Sequence, residues 1–155
     1  MAFHVLDQTQ RLALAPAAAW RFFTDPANLA LITPPYLGFV ITGGAEQPVY
    51  AGQIITYKVS PLLGIPLTWM TEITQVREGA YFIDEQRLGP YALWHHQHHF
   101  RAVTGGVEMR DLVHYRLRGG PWGRLVHRLA VRRQLEGIFR FRRQVLAQRF
   151  GELPY

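Results

Sequence analysis

Residues 37–117 break into short apolar or alternating runs divided by turn sequences, and one long amphipathic segment, residues 124–149, follows them. The runs span 37–43, 53–60, 67–77, 80–88, 91–103 and 107–117, and the interruptions are GG, PVYAG, PLLGIP, REGA, LGP and TGG. Connections this short suit antiparallel neighbours, because parallel strands need a crossover of a dozen residues or more. Residues 3–14 alternate loosely through Phe3, Val5, Leu12 and Leu14 and add a first strand. A broad sheet has one apolar face to bury, and a single long helix is the cover available for it. The pattern predicts an α+β chain, with a curved antiparallel sheet of six to seven strands around a long C-terminal helix.

Two short helices are expected after the first strand. Pro16 suits a helix N1 position and is followed by the apolar run 17–23. Asp25 and Pro26 restart a helix as N-cap and N1, and Thr33-Pro34-Pro35 ends it at about Ile32. Near the other end, Leu125, Leu129, Leu135, Ile138, Phe139, Val145 and Leu146 recur at helical spacing. Gly137 interrupts this helix at a cost of about 1 kcal/mol relative to alanine, and reads first as a close approach to the sheet, second as a soft point.

Composition narrows the class. Over 155 residues, with neither linker nor repeat, 48% hydrophobic content describes one globular domain spanning 1–155. Aromatic residues reach 13%, which suits a wide core or a lined cavity. The chain has no cysteine, so disulfides, thiol nucleophiles and cysteine-held metals or clusters are excluded. Its start lacks a basic region followed by an apolar stretch, and no run is long enough to span a bilayer, so a cytoplasmic protein is expected. The only serine, Ser60, has no nucleophile-elbow motif around it, and none of the glycine pairs opens a phosphate loop.

Charge is unevenly placed. Net charge is +6, and eight arginines lie between positions 124 and 149 against one acid, Glu136. The two readings of that segment are a solvated helix face and a surface that meets an anionic membrane or acidic partner weakly. No nucleic-acid partner is expected.

Alternation sorts the strands into faces. In the run 91–101 one face carries Leu93, His95, Gln97, His99 and Arg101, and the other carries Trp94, His96, His98 and Phe100. The second set is bounded by large aromatic residues and is placed inside. The matching inner sets are Asp111, Val113, Tyr115 and Leu117; Phe82, Asp84, Gln86 and Leu88; Trp69, Thr71 and Ile73; and Ile55, Tyr57 and Val59. This puts Asp84, Gln86, His96, His98 and Asp111 together among aromatics. Unpaired buried polar groups cost about 1–3 kcal/mol each, so these side chains either pair with one another or line a wet cavity.

Three chemistries compete for that patch. His96 and His98 at i and i+2, with Asp84 or Asp111, have the residue types of a two-histidine-one-carboxylate metal site. A histidine beside an aspartate in an apolar cavity can also move protons to a bound carbonyl. The third reading is a set of paired side chains that orients one end of a ligand. No metal and no cofactor are expected.

The residues then point to a family. Pro16…Trp20-x-Phe22-Phe23-x-Asp25-Pro26-x-Asn28-Leu29 with Ile32-Thr33-Pro34, Pro66-x-x-Trp69-x-Thr71-x-Ile73, and Asp111-x-Val113-x-Tyr115 resemble the SRPBCC superfamily of START-like and polyketide-cyclase-like domains. The specific part is Phe82-x-Asp84-x-Gln86-x-x-Gly89-Pro90-Tyr91-x-x-Trp94-x-His96-x-His98-x-Phe100, similar to a small bacterial branch named for cell-division inhibition. The resemblance covers nearly the whole chain and implies a helix-grip fold with a cavity under the last helix. The superfamily's iron–sulfur oxygenases do not apply to a chain without cysteine.

The expected function is binding or carrying a small hydrophobic ligand such as a lipid, quinone, isoprenoid or polyketide-like compound. The expected ligand-binding residues are Tyr57, Trp69, Thr71, Phe82, Asp84, Gln86, Trp94, His96, His98, Phe100, Asp111, Tyr115, Leu135 and Phe139. The alternatives are a cyclase, dehydratase or isomerase working through the same His/Asp patch, and an interaction module built on the arginine-rich helix.

Overall fold

The computed structural model describes residues 3–61, 64–119 and 130–154. Strand β1 (His4–Leu12) leads into α1 (Pro16–Thr24), a 3₁₀ helix (Pro26–Ile32) and a second 3₁₀ turn (Pro35–Leu37). Six strands follow: β2 (Val40–Gly43), β3 (Ile54–Val59), β4 (Leu67–Arg77), β5 (Tyr81–Leu88), β6 (Tyr91–Val103) and β7 (Gly106–Leu117). Helix α2 (Arg132–Phe150) closes the described chain.

The strands form one antiparallel seven-stranded sheet in the order β1-β7-β6-β5-β4-β3-β2. β2 to β7 run as a meander, and β1 adds to its far edge beside β7. Register shifts at Ile41/Gly43, Ile73/Gln75 and Tyr91/Leu93 mark irregularities that bend the strands, and the sheet curves around α2.

Several boundaries differ from the sequence expectation for local reasons. β2 begins at Val40 rather than 37, because Pro35–Leu37 forms the 3₁₀ turn and Gly38 takes a left-handed conformation, φ 55°. β1 stops at Leu12 because the next amide, Ala13 N, donates to Gly151 O beyond the end of α2. Asp25 does cap the segment after it, accepting from Ala27 N at 3.0 Å, but that short stretch folds as a 3₁₀ helix. In α2 the expected positions Leu125 and Leu129, with Arg124 and Arg128, lie outside the described residues.

Gly137 corrects an expectation. A Cβ built there meets nothing within 4 Å, so the glycine is not required by close packing against the sheet.

Packing forms two apolar clusters on the concave side. One gathers Leu12, Ala19, Phe23, Phe82, Phe100 and Leu146; the other gathers Leu37, Val59, Trp69, Tyr91, Leu135 and Phe139. Between them β5, β6 and β7 carry a polar belt across the sheet. Among the described residues no helix is long and apolar enough to cross a membrane.

Candidate functional site

Cross-strand register assembles the belt. Asp84 on β5 pairs with His96 on β6, Phe82 with His98, and His98 with Asp111 on β7. Side chains directly opposite on one face of an antiparallel pair lie within contact distance, so the four polar groups meet. The alternation that placed His96 and His98 inside holds: both are buried, as is Asp111, while Arg101 on the other phase is exposed.

His98 Nε2 donates to Asp84 Oδ2 at 2.9 Å, and His96 Nε2 donates to Asp111 Oδ1 at 3.0 Å. His96 Nδ1 lies 3.5 Å from Asp84 Oδ2, too long for a strong bond and suited to a bare nitrogen. His98 Nδ1 is 3.0 Å from Asp111 Oδ1 but at an angle that makes no hydrogen bond. Arg142, descending from α2, brings a guanidinium nitrogen to 3.3 Å from that same Asp111 oxygen. The Phe82 ring stacks on His98 with centroids 4.2 Å apart, and Phe139 meets His96 edge-on at 5.8 Å.

The electrostatics follow from this arrangement. Burial opposes ionisation of Asp111, yet Arg142, His96 and His98 outweigh it and hold the carboxyl well below its ordinary value. Asp84 behaves alike: burial raises its pKa, but His96, His98 and Arg142 together outweigh that and leave it lowered. The two histidines then part company. Burial and the neighbouring His98 charge push His96 down, while at His98 burial is overcome by the two aspartates and the value rises. The two rings lie 3.8 Å apart, so a proton here belongs to the pair, and the belt sets two carboxylates against the Arg142 guanidinium and whatever proton that pair carries.

Asp84, His96 and His98 also place three ligand atoms within 4.8 Å of one another. A divalent cation there would displace the His98 proton and face the Arg142 guanidinium. The donor set fits a metal by residue type but not by local charge.

Above the belt lies a cavity of about 550 Å³. Its wall contains ten of the expected ligand-binding residues: Tyr57, Trp69, Thr71, Phe82, Asp84, Trp94, His96, His98, Leu135 and Phe139. Thr71 Oγ1 accepts from Trp69 Nε1 at 3.1 Å and shares a 2.8 Å hydrogen bond with the Tyr57 hydroxyl. Burial, with the Asp84 charge behind it, raises the Tyr57 pKa and keeps that phenol neutral.

Four expected residues sit behind the wall. Gln86 turns away to clamp the β5–β6 hairpin: its Nε2 donates to Tyr91 O at 2.9 Å and its Oε1 accepts from Tyr91 N at 3.1 Å. A Cβ at Gly89 would lie 2.4 Å from Gln86 Oε1, so the clamp needs glycine at that turn. Phe100 packs against Trp20, Phe23 and Phe82, and Tyr115 against Tyr91 and Trp94. Asp111 lies beneath the histidines and anchors them.

Sequence reasoning does not single out Arg142 from the eight arginines of 124–149. Its position three residues after Phe139, seven after Leu135 and four before Leu146 places it on the inward stripe, and 7% of it is exposed. The contribution of the short helices was also missed: Phe22, Phe23, Leu29 and Ile32 complete the wall.

No family model matches the sequence, and no curated protein matches it. Solved structures do. TTHA0849 from Thermus thermophilus superposes with a TM-score of 0.71 at 16% identity, over 94% of this chain and 96% of that one. Ara h 8.0201 gives 0.62 at 15% identity, over 95% and 99%. The di-domain ARO/CYC StfQ of the steffimycin biosynthetic pathway gives 0.66 at 12% identity, over 95% of this chain and 52% of that one. At these identities the likeness is one of fold. The chain has a helix-grip fold, with a curved antiparallel sheet around a C-terminal helix.

Proposed function

We propose that this protein is a cytoplasmic, SRPBCC-type binder of a small, largely apolar ligand, held between the sheet and α2 without a resident metal or cofactor. The observation that carries this reading is the cavity of about 550 Å³, walled by Tyr57, Trp69, Tyr91, Trp94 and Phe139, with the Asp84, His96 and His98 side chains at its floor. Ligand pockets of roughly 300–1,000 Å³ commonly divide labour this way, apolar walls giving affinity and a few polar groups fixing orientation. Native mass spectrometry of the purified protein, with solvent extraction of whatever it retains, tests the reading. An apolar compound of a few rings or a comparable chain is expected; a retained hydrophilic metabolite contradicts it. Elemental analysis is expected to find no stoichiometric metal, and zinc or iron lost on His96→Ala would overturn that part.

A second reading is supported by the placement of His96 and His98, whose rings lie 3.8 Å apart on the cavity wall, each bonded to an aspartate. Two imidazoles that share a proton in an apolar site can serve as an acid–base pair. It would act on a bound carbonyl as a cyclase, dehydratase or isomerase does, consistent with the fold's occurrence in an aromatase/cyclase. Turnover of a retained compound, abolished by His96→Gln with binding intact, separates this reading from simple carriage.

A further inference from the structure

We infer that the ligand is an uncharged, ring-bearing molecule that presents a hydroxyl group and donates its hydrogen to Asp84 Oδ1. The inference rests on the ligand-binding reading above and names the chemistry of the ligand's polar end.

It starts from which hydrogen-bonding atoms the belt leaves open. Both contacts that Asp84 makes with the histidines use Oδ2: His98 Nε2 at 2.9 Å and His96 Nδ1 at 3.5 Å. No described residue donates to Oδ1. The belt's sealed side-chain atoms without a partner are His98 Nδ1 and Arg142 Nε, and Asp84 Oδ1 is not among them. The side chain lines the cavity with 14% of its surface exposed, and its second oxygen is not sealed, so it is an open acceptor on a mainly apolar wall.

A carboxylate oxygen in such a place costs free energy unless a donor meets it. The other groups on that wall do not supply one. The Tyr57 hydroxyl is 2.8 Å from Thr71 Oγ1 and shares a hydrogen with it. The Trp69 indole N–H is spent on Thr71 as well. Arg142 lies beside Asp111, with its guanidinium carbon 5.4 Å from the Phe23 ring centre and 6.0 Å from that of Phe139. The donor is therefore left to the ligand. A hydroxyl supplies that donor without bringing a second charge into a mainly apolar cavity, where an ammonium or a carboxylate would lose its hydration. The rings of Trp69, Tyr91 and Trp94 stand mutually 4.9–5.5 Å apart and offer flat apolar surfaces for a cyclic skeleton.

The test compares four probes of one skeleton by equilibrium dialysis against the full chain: naphthalene, 2-naphthol, 2-methoxynaphthalene and 2-naphthaldehyde. A hydrogen bond to a charged acceptor predicts that 2-naphthol binds about tenfold or more tighter than the other three. In Asp84→Asn, His98 Nε2 holds the amide oxygen, the amide nitrogen turns to the cavity, and the preference for naphthol disappears. Should that variant not fold, the wild-type ranking alone decides. Equal affinity for all four would overturn the hydroxyl inference and leave the cavity reading standing. Tightest binding of the aldehyde would overturn it in favour of a donor wall. Binding of none would remove both.

Discussion

Arg142 is the residue at which a basic helix turns inward. Its guanidinium faces Asp111 in a belt of two carboxylates and two imidazoles, and removing one partner of such a set strands a charge. Arg142→Met is expected to destabilise the fold by about 3–5 kcal/mol. The exposed Arg140→Ala, two positions earlier, should stay within about 0.5 kcal/mol. Denaturant midpoints at neutral pH check the pair, and equal small effects would mean that Asp111 does not depend on Arg142. The histidines give a second expectation. His96, lowered below the ordinary 6.5, contributes stability that is lost as pH falls through the range just under 6.5; His99, also lowered, adds the same sign. His98, raised above 6.5, contributes stability that is full below 6.5 and lost as pH rises through its folded value. Stability should therefore fall on both sides of a maximum that begins near pH 6.5, and His98→Gln should flatten the alkaline limb while leaving a reduced acid limb that rests on the burial of His96. Urea titrations on both sides of the peak read this directly; an unchanged alkaline limb in His98→Gln would contradict the assignment.

Among the elements, β6 was the most legible and α2 the least. The irregularity in β6 falls between Tyr91 and Leu93, so the alternation from Trp94 through Phe100 runs unbroken and period two alone assigns its faces. In Gln86 the same rule gave the right phase but not the role, because the side chain sits close enough to the hairpin to be captured by the Tyr91 backbone. Helical spacing identified Leu135, Phe139 and Leu146 as the inward stripe of α2, yet residue type set Arg142 apart from a stripe that geometry includes. Hydrophobic pattern has no means of registering an inward charge whose partner lies on another strand. Gly137 is the clearest test of the element itself. With open space around the missing side chain, Gly137→Ala should stabilise by about 0.5–1 kcal/mol through helix propensity. For a domain of this length that raises Tm by about 1–4 °C. A lowered Tm would return the glycine to a packing role.

At the scale of the molecule, the order of strands and helices was readable because each turn sequence is local and each strand pairs with its chain neighbour, β1 apart. The cavity was not. A sequence specifies side chains and their faces but not the space left between a curved sheet and the helix across it, so a filled core and a lined pocket read alike. The short helices add to that difficulty, since Phe22, Phe23, Leu29 and Ile32 reach the wall from segments with no strand-like or heptad signature. The central claim is that α2 roofs a cavity that takes an apolar ligand. Binding of a naphthalene-class probe to the full chain, measured for wild type, Phe139→Ala and Arg140→Ala, tests it most directly. Phe139 projects into the cavity and Arg140, next in the chain, faces solvent, so Phe139→Ala should weaken binding severalfold or more while Arg140→Ala leaves it unchanged. Equal effects from the two substitutions, or none from Phe139→Ala, would contradict the account and place the ligand elsewhere.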